Sequence, residues 1–155
     1  TASATVTATP ATTPDAPTLN TITPGNQQLS AAFTAGGTGG SAITTYQYST
    51  DGGTYWSPRR YGTTASPLII LGPSDVAGAL RNGTSYDVQV RAVNAQGPGT
   101  ASATVTATPD TTPDAPTLNT ITPGNKQLSA AFTAGGTGGS AITTYQYSTD
   151  GGTTW

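Results

Sequence analysis

Residues 80–94 read Leu80-Arg81-Asn82-Gly83-Thr84-Ser85-Tyr86-Asp87-Val88-Gln89-Val90-Arg91-Ala92-Val93-Asn94. From Tyr86 onward every second side chain is apolar (Tyr86, Val88, Val90, Ala92), with Asp87, Gln89 and Arg91 between them. A period of two puts alternate side chains on opposite faces of a strand, so this strand has one face for a core and one for water. The same period runs through Leu29, Ala31, Phe33 and Ala35, until Gly36-Gly37-Thr38-Gly39-Gly40 breaks the strand. Residues 43–50 follow, with Tyr46 and Tyr48 on one face, and end in the turn signal Asp51-Gly52-Gly53. Leu68-Ile69-Ile70-Leu71 is a short apolar run, and residues 102–108 are Thr-rich with Val105 at their centre. No segment carries a convincing helical period, although Ser74–Leu80 has room for a single turn capped by Ser74. The chain reads as all-β.

The second decisive feature is an internal repeat. Residues 1–56 recur as residues 100–155 at a constant offset of 99, and only three positions differ: Ala11 against Asp110, Gln27 against Lys126, and Tyr55 against Thr154. A period of 99 exceeds that of solenoid units and suits a whole small β-sandwich. Prolines mark the joints, because a residue without an N–H and with fixed φ does not belong in a sheet interior. The expected organisation has the last strand of a preceding module at 1–9 and a Pro-rich connector at 10–17. A complete module spans 14–108, a second connector 109–116, and the first half of the next module 114–155.

Residues 80–94 together resemble the end of a fibronectin type III domain, with a Leu, a Gly-containing turn, a Tyr, and alternating valines leading into Ala-x-Asn. Residues 43–53 are similar to the third strand of bacterial, particularly actinobacterial, members. The resemblance implies an immunoglobulin-like, seven-stranded antiparallel β-sandwich in tandem repeats, one sheet ordered A-B-E and the other G-F-C-C′. It implies that Tyr86 is a tyrosine-corner residue, its hydroxyl bonded to backbone a few residues upstream. Leu80, Tyr86, Val88, Val90, Phe33, Tyr46 and Tyr48 are the expected core and corner. Two features depart from the family: Phe33 stands where many members carry Trp, and Gly72–Ala79 makes a longer path into the corner.

The residue inventory narrows function. Only 8% of residues are charged and the net charge is −2, which leaves no basic stripe for nucleic acid. There is no apolar run long enough for a membrane span. Without His, Cys or Glu, acid–base work would rest on seven Asp residues, and Asp15, Asp51 and Asp75 lie in turn contexts. No catalytic residue, cofactor or metal site is expected, and no carboxylates cluster as calcium requires. The best interaction candidate is Tyr55, Trp56, Arg59, Arg60 and Tyr61, since aromatics with Arg are typical of binding hot spots and sugar platforms. The plainer reading has Trp56 covering the core edge and the arginines solvating a strand. Asn82-Gly83-Thr84 is a glycosylation sequon, but Asn-Gly is also ordinary turn chemistry.

A strand inventory based on the family topology finds A, B and C twice (17–50 and 116–149), G twice, and E and F once. Leu128, Phe132, Ile142, Tyr145 and Tyr147 are therefore expected to lack an opposing sheet, that half is expected to unfold, and the chain is expected to be a window from a longer array. The functional expectation is a structural repeat of an extracellular or cell-surface bacterial stalk or filament. Its partners would be neighbouring copies along the chain, with lateral self-association into fibres at exposed edges. The alternative is a carbohydrate- or protein-binding accessory module of a secreted adhesin or glycanase.

Overall fold

A computed structural model describes residues 9–60, 63–72 and 80–155. The strand expected within 1–9, the single turn expected at 74–80 and the candidate residue Tyr61 lie wholly or largely outside the described residues.

Two antiparallel sheets share one core. The first contains β1 (Thr18–Gly25), β2 (Gln28–Thr34) and β5 (Leu68–Ile70) in the order β1-β2-β5. The second contains β3 (Thr45–Ser49), β4 (Ser57–Pro58), β6 (Tyr86–Asn94) and β7 (Gly97–Pro98) in the order β4-β3-β6-β7, with β8 (Val105–Ala107) also paired to β6. Leu29, Ala31 and Phe33 of β2 and Leu68 and Ile70 of β5 meet Tyr46, Tyr48, Val88, Val90 and Ala92 of the other sheet, with Leu80 at the end. Burying each large apolar side chain contributes roughly 1.5–3 kcal/mol. Within this β-sandwich-like core the Phe33 and Tyr46 rings lie 4.5 Å apart and tilted by 52°, a favourable aromatic geometry. The buried Tyr48 hydroxyl donates to the Gly72 carbonyl at 2.7 Å, so its polar end is satisfied.

The strand ends differ from the sequence reading in ways that have local causes. Ala35 lies beyond β2 and is exposed rather than on the buried face. The last strand is shorter than 102–108 because Ser102 turns its side chain into the ladder. Val90 N–H donates to Ser102 Oγ at 3.0 Å, and Ser102 N–H donates to the Val90 carbonyl at 2.8 Å.

Residues 12–15, inside the proline segment, are pinned on both sides. The Thr12 and Asp15 amides donate to the Gly39 and Gly37 carbonyls, and the Thr100 amide donates to the Pro14 carbonyl. The Asn94 side-chain amide ties the Thr12 and Thr38 carbonyls together. Hence the glycine tract is more than a strand breaker: a side chain at Gly39 (φ +68°) would collide with the Thr12 carbonyl.

The second copy of the repeat forms β9 (Thr117–Gly124) and β10 (Gln127–Thr133), paired to each other as a separate two-stranded sheet with the same register as β1 and β2. In this half, for which unfolding was expected, the hairpin satisfies its ladder within itself. Residues 144–148, the counterpart of β3, form no strand, because β3 owes its ladder to β4 and β6. Apolar residues that are sealed in the first copy are open in the second: Leu29 is 0% exposed and Leu128 65%, Tyr48 1% and Tyr147 81%. Ile142 alone of the named residues is half-buried.

Candidate functional site

The candidate patch grows out of the turn that follows β3. The Asp51 carboxylate accepts hydrogen bonds from the Ser49 hydroxyl (2.7 Å) and the Tyr55 amide (3.0 Å), while Ser49 Oγ accepts the Gly53 amide at 2.8 Å. The Tyr55 amide and then the Ser49 hydroxyl hold the Asp51 carboxyl below its ordinary value by favouring the charged form. Asp51 thus organises a turn, as an Asp beside two glycines should. Asp150 repeats the arrangement with Ser148, Thr153 and Thr154, and the Thr154 hydroxyl adds a bond to its carboxylate at 2.6 Å.

This turn delivers Trp56 to the outer face of the second sheet. Its indole N–H donates to the Gly53 carbonyl at 3.0 Å, and the Arg91 guanidinium lies 4.1 Å from the ring centroid. Arg91 Nε in turn donates to Gln47 Oε1 at 2.8 Å. The sequence reading named Trp56 but not Arg91 or Gln47. Their signal was there as polar positions on two strands, and β3–β6 pairing sets Gln47 directly opposite Arg91. A cation stacked on the indole attracts the ring quadrupole and covers that ring face.

Arg59 is also committed to the fold. Its guanidinium donates to the Ala65 carbonyl and to the Pro67 carbonyl at 2.9 Å, and its amide donates to Tyr46 O at 3.0 Å. Tyr55, 75% exposed, and Arg60 face outward. The five-residue patch therefore divides into two braces, Trp56 and Arg59, and two outward residues, with Tyr61 outside the described residues.

At the other end of the sheets, Tyr86 Oη accepts the Arg81 amide at 2.9 Å, and the Thr84 amide closes the turn onto Arg81 O at 3.2 Å. Asn82 Oδ1 accepts the Gln27 amide at 2.8 Å and its Nδ2 donates to Asn26 Oδ1 at 2.9 Å. Both ends of this side chain tie its turn to the β1–β2 turn.

An open groove of about 480 Å³ in the second copy is lined by Tyr145, Tyr147, Thr154 and Trp155. The first-copy counterparts of the tyrosines, Tyr46 and Tyr48, pair with Ala92 and Val90 of β6. In the first copy those positions are covered by β6. Among the described residues, no group of three or more His, Cys, Asp or Glu side chains converges as a metal site, and no helix is long and apolar enough to cross a membrane.

No family model and no curated protein matches the chain. Among solved structures it is similar to one titled "Myokine structure", with 21% identity over 62% of this chain and 98% of that one, and a TM-score of 0.42.

Proposed function

We propose that the chain is built from fibronectin type III-like modules in tandem and serves as the structural repeat of an extracellular bacterial stalk or filament. The observation that carries this reading is the near-identity of the two copies at exposed as well as core positions. A surface selected to bind different ligands would vary between copies where it meets solvent, whereas a spacer needs the same unit again. The sheet orders β1-β2-β5 and β4-β3-β6-β7 support the family reading, since they follow A-B-E and C′-C-F-G. The bond between Tyr86 and the Arg81 amide supports it further. The engagement of Trp56 and Arg59 within the fold favours spacing over carbohydrate binding, and Tyr55, the most outward aromatic, is Thr154 in the other copy.

Electron microscopy of the intact protein in its native setting tests the proposal. Long uniform fibres with an axial period of one module identify a filament. Short rods ending in a distinct globular body identify a stalk and transfer the binding question to that body. Compact particles without an axial repeat refute both.

A further inference from the structure

The module at 14–108 makes a built contact with the residues that follow it: the Gly83 amide donates to the Pro109 carbonyl at 2.9 Å. Pro109 is fully buried, whereas Pro10, the same residue of the first copy, is exposed. Gly139 backs onto the same turn. A Cβ added there would lie 2.6 Å from Gly83 N, 3.1 Å from Asn82 C and 3.0 Å from Pro109 O. Gly40, its first-copy equivalent, has the same approach to Pro10 O (3.0 Å), and its other near neighbours are atoms of Ala11. The distinction between the copies is the turn at 81–84. That turn is held by the Tyr86 hydroxyl on one side and by Asn82 against the β1–β2 turn on the other.

We propose that the Arg81–Thr84 turn is a docking socket for the following copy of the repeat, which inserts its proline connector at Pro109 and its glycine turn at Gly139. Successive copies then meet in one preferred orientation instead of swinging on a flexible linker. The socket is backbone against backbone, so it recognises a shape, and only a residue without a side chain at position 139 fits it. A residue pair that touches only across copies is a constraint that neither copy needs for its own core. The inference does not depend on whether the array forms a filament, a stalk or neither.

The test uses the full 155-residue chain. By NMR, the Gly83 amide is expected to exchange with solvent about tenfold or more slowly than its intrinsic rate, as an amide held in a hydrogen bond does. The chain has no cysteine, so Ala95→Cys and Thr120→Cys give one spin-label pair across the contact, expected to show a single narrow distance distribution. Gly139→Ala should return Gly83 to its intrinsic rate and broaden that distribution. Gly40→Ala, at a similarly positive φ, should do neither. Unprotected Gly83 with a broad distribution in the unsubstituted chain would overturn the proposal without any reliance on a variant. An unchanged Gly83 rate and distribution in Gly139→Ala would overturn it as well.

Discussion

The hydroxyl of Tyr86 accepts the Arg81 amide and so holds the Arg81–Thr84 turn, while the ring packs against the core edge. Tyr86→Phe keeps the ring and leaves that amide to water or to no partner. The expected cost is about 0.5–1.5 kcal/mol, read as a lower denaturant midpoint with unchanged slope. An unchanged midpoint would instead mean that the ring, which the variant keeps, carries the corner. Asp51 makes a different kind of prediction, because its folded carboxyl lies below its ordinary value through the Tyr55 amide and the Ser49 hydroxyl. A depressed acid contributes stability that is present above the unfolded carboxylate value, near 4, and is lost as pH falls through the lower folded value. The Gly53 and Tyr55 amides should therefore keep their neutral-pH chemical shifts as pH falls to that range and change only on further acidification. Movement near pH 6 would show that another group governs the turn.

At the scale of the element, the β1–β2 hairpin shows how a turn tolerates a residue it does not favour. Gln27 has φ 55° and Lys126, its counterpart, also has φ 55°, a left-handed conformation that costs an L-residue roughly 1–2 kcal/mol relative to glycine's freedom. Gln27→Gly removes that strain but adds unfolded-chain entropy, so the net gain should be at most about 1 kcal/mol in chemical denaturation. A loss of stability would show that the Gln27 side chain, and not only its amide bonded to Asn82, supports the turn. No periodicity argument pointed to this position, because turn strain leaves no hydrophobic pattern. The strands were easier to read: Leu29, Ala31 and Phe33, and Tyr86 through Ala92, alternate because each has one wet face. The pinned segment 12–15 was not legible, since proline announces only that a residue avoids the sheet interior. It does not announce which carbonyls a neighbouring glycine tract will meet. The pairing of Trp56 with Arg91 was hidden for the same reason, being set by the register of β3 on β6 across a long sequence separation.

For the whole molecule, one sequence placed in two surroundings separates local propensity from tertiary support. The hairpins β1–β2 and β9–β10 differ between Thr18 and Thr34 only at Gln27 against Lys126, yet one lies over a core and the other does not. Leu29 sits in β2 opposite Ile70 of β5, and among the described residues Leu128 has no such neighbour strand. Leu29→Ala should thus cost about 2–5 kcal/mol, the range for emptying a packed core site. Leu128→Ala should stay within about 0.5 kcal/mol, as for an exposed position. Hydrogen exchange gives the same contrast without substitution. If packing rather than propensity holds these strands, the amides of β9 and β10 should exchange through local opening, far faster than those of β1 and β2. Equal protection of the two hairpins, at dilute and concentrated protein alike, would mean that the ladder alone stabilises them. Protection of β9 and β10 that rises with concentration would mean that a second molecule covers Leu128, Phe132 and Tyr147, which is the lateral association an open apolar face invites.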